Sequence, residues 1–569
     1  MTRQVAIGIQ SFEKIRMDKR FYVDKTDFIR EWWENGDDVT LITRPRRFGK
    51  TLNMSMLECF FSNHYKNRED LFEGLSIWKE EKYQELQGTY PVIFLSFAEA
   101  KADSYEAVME QIRQVIQKLY TRHSFLLDSD ALEQEEKDFI LRIKREVSKI
   151  TEVELSVTLQ RLSSYLGSYY GKNVLILLDE YDTPMQEAYV NGYWDKMVSF
   201  IRSLFNSTFK TNPYMYRAIM TGITRVCKES IFSDFNNVRV VTTTATNYMT
   251  AFGFTEAEVF RALEEQGLEG KKEEVKSWYD GFVFGNTTDI YNPWSILSYL
   301  KEKEFTTYWA NTSSNSLVEK LIQKGNPNIK MTMSDLLSDI PFCAEIDEQF
   351  FFDQLDTDMN AIWSLLVASG YLKIQERRQN EEGEWEYQLT LTNHEVKLMF
   401  RRMIKGWFAR KTASYNAFIS ALLKGDIEEM EYYMNQVALT TFSYFDTGKQ
   451  VSGISEPERF YHGFVLGLLV ELKGKYYLKS NRESGLGRYD VMLEPLCKEL
   501  DAIIIEFKVY QPKKEKNLSE TLASALAQIE EKQYDAELLE KGISKERIRH
   551  YGFAFVGKQV LIDGSNEAI

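Results

Sequence analysis

A short apolar run, Val39-Thr40-Leu41-Ile42-Thr43, passes directly through Arg44-Pro45-Arg46-Arg47-Phe48-Gly49-Lys50-Thr51 into a helical pattern. Few features constrain a fold more. A strand that ends in a Gly-Lys-Thr turn at a helix start points backbone N–H groups and the positive end of the helix at one spot, which suits an anion. In that geometry Lys50 is expected at the β- and γ-phosphates of a nucleotide and the Thr51 hydroxyl at Mg2+. Arg44 stands where the common G-x-x-x-x-G-K-[ST] loop has its first glycine. A tighter or more cationic loop is therefore expected, with Arg46 and Arg47 adding phosphate contacts. The nucleotide-contacting set is Arg44, Arg46, Arg47, Phe48, Gly49, Lys50 and Thr51.

A lone Gly-Lys-Thr arises by chance, so its partner decides the reading. Leu175-Ile176-Leu177-Leu178-Asp179-Glu180 is an apolar strand tipped by two carboxylates. Asp179 is expected in the Mg2+ shell, and Glu180 beside a hydrolytic water. Asp182 is close by and reads equally well as a turn residue. Two further runs, 91–97 and 217–222, are also strand-like, and helical patterns fill much of 104–170. Continuous apolar strands separated by helices predict a parallel sheet covered on both faces. The α/β domain they form extends to about residue 290. The run 217–222 ends in Thr221-Gly222 and leads through Ile223-Thr224 into Arg225. If that strand lies between the loop strand and the acidic strand, Thr221 senses the γ-phosphate and Arg225 stabilises transferred charge. The plainer alternative is a strand-terminal turn with a solvated arginine.

The middle of the chain, 291–450, changes pattern. A helix at 362–372 precedes two strand candidates, 372–378 and 386–392, and a helix from about 394 to 408. Helix, hairpin, helix suits a winged-helix module. Its last helix carries Lys397, Arg401, Arg402 and Lys405, with Arg410 and Lys411 following. These form either a solvated face or a nucleic-acid contact.

Residues 451–569 form a third α/β unit. Asp490 begins one strand, and Glu506 and Lys508 lie two apart on the next, so their side chains share a face. A charged pair after Ile503-Ile504-Ile505 is costly unless solvated or functional. Cleavage of a phosphodiester needs hard oxygen ligands for Mg2+ or Mn2+, which Asp490 and Glu506 provide. Lys508 suits a role in orienting water or offsetting phosphorane charge. A strand-edge Glu–Lys salt bridge is the simpler alternative. His462 reads as structural, with a substrate phosphate as its alternative partner.

Several segments together, 21–26, 44–51, 178–184, 220–226, 252–256, 278–281 and 291–294, resemble the AAA-ATPase-like family of bacterial P-loop proteins. Its members usually end in a nuclease-like domain of the PD-(D/E)XK superfamily. The resemblance implies an additional-strand ATPase core over 1–290 and a nuclease-like fold over 451–569. It makes the arginine-for-glycine loop a family variant and places Tyr22 and Asp24 to Thr26 near the nucleotide. It also implies an acidic ligand from an upstream helix, best matched by Glu458 and then by Glu456. Gln528, Lys532 and Tyr534 resemble the superfamily's auxiliary residues. Tyr489 stands where that superfamily has proline.

Composition fits this picture. The 569 residues suit about three or four domains. Hydrophobic residues at 44% and charged residues at 27% exclude a disordered or fibrous chain. Four scattered cysteines without a CxxC pair argue against a disulfide framework or a zinc site and for a reducing cytosol. No signal peptide or membrane-spanning run is read. The net charge of −15 argues against coating a polyanion with the whole surface, yet permits a metal-bridged phosphate site. The expected function is ATP binding and hydrolysis coupled to a metal-dependent nuclease acting on DNA or RNA, with oligomerisation left open. The alternative is a nucleotide-dependent switch or scaffold whose tail binds without catalysis. A helicase motor fits less well, because helicase motifs beyond the two nucleotide motifs are not found.

Overall fold

The computed structural model describes residues 3–224, 237–310, 316–324, 327–337, 339–347, 355, 359–379, 383–409, 412–441, 465, 469, 472, 475–484, 487–497, 500–512, 514–557 and 559–565. Two compact units result. One comprises Met1–Leu317 and Cys343–Lys397, the other Val318–Phe342 and Leu398–Ile569.

The first unit is built on strands β1 (Val39–Thr43), β2 (Val92–Ser96), β3 (Val174–Asp179), β4 (Met215–Gly222) and β5 (Val238–Val241). They form one sheet in the order β2-β3-β4-β1-β5, with every pairing parallel. All residues of β1 and β3 are buried. A parallel sheet needs cover on both faces, and helices such as Tyr105–Arg122 and Thr158–Tyr170 flank its strands in the chain. The order puts β4 between the loop strand β1 and the acidic strand β3, as the additional-strand reading requires. The expected runs at 39–43, 91–97, 174–178 and 217–222 thus map onto β1 to β4.

Two small sheets complete this part of the chain. Strands β6 (Phe254–Thr255), β7 (Phe282–Phe284) and β8 (Thr287–Tyr291) associate in the order β6-β8-β7. Strands β9 (Phe342–Glu345), β10 (Leu372–Gln379) and β11 (Trp385–Leu391) associate as β10-β11-β9. Helix Met359–Ala368 precedes the β10–β11 hairpin, and helix His394–Ala409 follows it. Helix, hairpin and helix occur in the expected order, with a third strand, β9, added to the hairpin.

The second unit holds a five-stranded sheet in sequential order, from β12 (Tyr476–Ser484) and β13 (Gly487–Pro495) through β14 (Ala502–Val509) to β15 (Ile548–Val556) and β16 (Gln559–Ser565). Only the β14–β15 pair is parallel, and helix Leu518–Glu531 lies in the crossover between them. The period of two along β14 divides its residues between two cores. Ile503, Ile505 and Phe507 join one with Val491 and Phe553. Ala502 and Ile504 join the other with Ile529, Tyr534 and Leu538. Each fully buried aliphatic side chain contributes about 1.5–3 kcal/mol. No helix among the described residues is long and apolar enough to cross a membrane.

Candidate functional site

The chain leaves β1 at Thr43 and enters helix Lys50–Phe61 through the Gly-Lys-Thr turn. Gly49 caps that helix at φ +84°, a conformation glycine adopts at little cost. Arg47 is also left-handed, at φ +67°. Its guanidinium lies 4.4 Å over the Trp294 ring, and the Asn292 amide donates to the Arg46 carbonyl at 3.3 Å. Phe48 is buried edge-on against Phe282 and Phe284.

The Lys50 ammonium is buried. It donates to the Arg44 and Pro45 carbonyls, both at 3.1 Å, and lies 3.7 Å from Glu180. A cation curled back on its own loop in this way is positioned to exchange carbonyls for an anion. The Thr51 hydroxyl donates to Asp179 Oδ2 at 2.7 Å, and the Thr221 hydroxyl to Asp179 Oδ1 at 2.5 Å. Ser96 at the tip of β2 also reaches Asp179, at 3.5 Å. The predicted residues Lys50, Thr51, Asp179, Glu180 and Thr221 therefore meet in one place. Burial, and next the Glu180 carboxylate, push the Asp179 carboxyl up to about 6.

Arg44 differs from expectation. Its guanidinium is fully buried and donates to the carbonyls of Thr43, Thr242, Asn247 and Tyr248. It also lies 4.7 Å over the Phe284 ring. These partners hold the side chain on the backbone of residues 242–248. Arg46 donates to Gln186 at 3.2 Å. Asp24, Lys25 and Thr26 are tied to Ser76, Glu258 and the Thr250 carbonyl. Arg225 lies outside the described residues.

Asp182, the ambiguous turn residue, is fully buried. Its Oδ2 accepts the Ile223 and Thr224 N–H groups at 3.0 and 2.9 Å, and burial pushes its carboxyl upward. No sequence signal separated it from a solvated turn, because its partners lie some forty residues later.

In the second unit Asp490 and Glu506 lie on adjacent antiparallel strands, one step beyond the Val491–Ile505 pair. Asp490 Oδ2 accepts the Phe507 N–H at 2.8 Å. Glu506 is buried and receives the Gln528 amide. Lys508 donates to Gln528 Oε1 at 2.7 Å, and the Gln528 amide reaches the Tyr534 hydroxyl at 3.1 Å. Desolvation first, with the Glu506 and Asp490 charges adding to it, raises the Tyr534 pKa. The simple salt-bridge alternative is replaced by a glutamine that bridges Glu506 and Lys508. Glu456, Glu458 and His462 lie outside the described residues.

A third acidic group was not foreseen. One ligand oxygen each from Glu256, Asp280 and Asp289 lie within 4.8 Å of one another. The Lys276 ammonium already lies among them, bonded to Glu256 and, at 3.0 Å, to Asp289. Burial and the hydrogen bond with Asp289 push Asp280 up to about 7. Hydrogen bonds from Thr288 and Lys276 hold Asp289 down at about 2.

Residues 6–232 match the AAA-ATPase-like family, described as a predicted AAA-ATPase, and residues 456–564 match the PD-(D/E)XK nuclease superfamily. A curated relative, "Uncharacterized protein in vnfD 5'region" of Azotobacter chroococcum mcd 1, is 25% identical over 401 residues, which cover 69% of this chain and 68% of the relative.

Proposed function

We propose that the chain binds and hydrolyses ATP at the Lys50–Asp179 site and cleaves nucleic-acid phosphodiesters at Asp490, Glu506 and Lys508. The observation that supports this most is the Asp179 carboxylate, held between the hydroxyls of Thr51 and Thr221 beside a buried lysine. Hard oxygen donors of this kind suit Mg2+, and the carboxylates Asp490 and Glu506 suit Mg2+ or Mn2+. A divalent cation bound at these donors offsets phosphate charge and acidifies a coordinated water.

The side chains provide the rest. Lys50 moves from its loop carbonyls to the β/γ-phosphates, and the N–H groups of the turn and helix start hold the same oxygens. Glu180 accepts a hydrogen bond from the attacking water. Thr221, on the strand between loop and acid, reads the γ-phosphate, and Arg225 is proposed to stabilise transferred charge. At the tail, Lys508 orients water or offsets charge on the transition state, while Gln528 fixes its distance from Glu506. The helix–hairpin–helix of the middle region is proposed as a winged-helix module that passes nucleotide state to the tail.

The test compares cleavage of labelled DNA and RNA by wild type, Lys50→Ala and Asp490→Ala, with and without ATP. Asp490→Ala is expected to lose cleavage, and Lys50→Ala to lose the response to ATP. Equal cleavage by all three overturns the reading. ATP hydrolysis with no cleavage by wild type replaces it with the switch whose tail only binds.

A further inference from the structure

A line of polar side chains runs from the phosphate-binding loop to the end of β4, and the reaction described above does not use it. The Arg46 guanidinium donates to Gln186 Oε1 at 3.2 Å. Gln186 lies in helix Thr183–Asn191, and its amide donates to Asp182 Oδ2 at 2.8 Å. That oxygen also accepts the Ile223 N–H at 3.0 Å, the Thr224 N–H at 2.9 Å and the Thr224 hydroxyl at 3.0 Å. Tyr181, next in the chain, donates its hydroxyl to the Thr224 carbonyl at 2.7 Å.

The loading of Asp182 is lopsided. One oxygen takes four donors, more than its two lone pairs hold well, while Oδ1 has no donor among the described residues. Oδ1 faces Gly222, where a Cβ would come within 2.7 Å of it. The Gln186 amide is the donor that can leave most cheaply, since the turn at 223–224 keeps its three bonds without it. Arg46, in turn, gains by leaving Gln186 for a phosphate, because both partners are then ionised and the planar guanidinium can bind two phosphate oxygens at once.

We infer that Arg46, Gln186 and Asp182 form a positioning relay that reports triphosphate occupancy to the Ile223–Thr224 turn, the segment that leads into Arg225. Without a γ-phosphate, Arg46 rests on Gln186 and the relay is closed. With one, Arg46 moves to the phosphate and Gln186 is released. The relay then discriminates tri- from diphosphate at a point beyond direct phosphate contact. This rests on the ATP reading above.

The experiment uses the full chain, with ADP and a non-hydrolysable triphosphate analogue as probes for calorimetric binding, and kcat and KM for ATP as a second readout. Wild type is compared with Gln186→Ala, Arg46→Ala and the double variant. Gln186 is only partly buried, so its replacement leaves the core intact. Arg46→Ala is expected to lower the triphosphate-over-diphosphate preference by about fivefold, Gln186→Ala to raise it because Arg46 no longer has to leave a partner, and the double variant to match Arg46→Ala. Gln186→Glu, which holds Arg46 more tightly, is expected to weaken triphosphate binding and to leave KM more affected than kcat. A double variant that differs from Arg46→Ala, or a Gln186→Ala preference equal to or below wild type, overturns the relay while leaving the ATP reading intact. A wild type that binds neither probe removes the ATP reading, and the relay with it.

Discussion

The two candidate sites hold their carboxylates by different means. Asp179 is held by hydroxyls from Thr51 and Thr221, with Ser96 nearby, so the tips of two neighbouring strands and a helix start converge on it. Asp490 and Glu506 are held by one backbone N–H and by one glutamine on a helix. The first arrangement stacks side chains from distant parts of the chain and has little slack. The second relies on neighbours within about forty residues and on a long, bendable amide. A site closed by many short side chains should tolerate few changes in its walls, and one closed by a glutamine should tolerate more.

The largest expected effect separates the two sites functionally. Asp179→Asn should lower ATP turnover by about a hundredfold or more, whereas Glu506→Gln should abolish Mn2+ binding measured by calorimetry at the tail. Asp179→Asn should leave that Mn2+ heat in place. Loss of both signals from either change would join what the comparison separates.

A smaller effect tests the slack directly. A Cβ on Gly222 would come within 2.6 Å of the Tyr181 ring and 2.7 Å of Asp182. A Cβ on Gly487 would meet only the Lys532 stem, at 3.1 Å. Gly222→Ala should therefore cost about 1–3 kcal/mol in urea unfolding, and Gly487→Ala less than about 1 kcal/mol. Equal costs would remove the distinction.

The last effect concerns pH and lies outside both sites. Asp280 is pushed up to about 7 in the folded chain, far above an unfolded aspartate. Between those values the folded protein holds a proton that the unfolded chain has released, so stability should rise as pH falls from about 7 toward 4. The slope is at most about 1.4 kcal/mol per pH unit. Asp289, held down at about 2, acts in the opposite sense, and its contribution is lost only as pH falls toward 2. Melting curves of wild type and Asp280→Asn across pH 4–8 check this. A slope that persists in the variant would assign the effect elsewhere.

What the sequence revealed followed from locality. Gly-Lys-Thr after a strand and Asp-Glu at a strand tip each occupy a few consecutive residues, and short apolar runs mark β1 to β4. The position of β4 between β1 and β3 was implied by the family resemblance, since local pattern does not order strands in a sheet. Strand β5 was missed because Val238–Val241 is short and only its last residue is buried. Arg44 was assigned to phosphate because cations in such loops usually face it. Its true partners, carbonyls at 242–248, lie about two hundred residues away in sequence. Asp182 hid for the same reason, and so did Gln186.

Arg47 holds a left-handed backbone that costs a non-glycine residue about 1–2 kcal/mol, stacked on Trp294 while Asn292 grips the carbonyl before it. Folding therefore sets the cradle before any guest arrives. The loop backbone should then stay in place while the Lys50 and Arg46 side chains turn, and loosening that clasp by replacing the indole should slow capture more than it hastens escape.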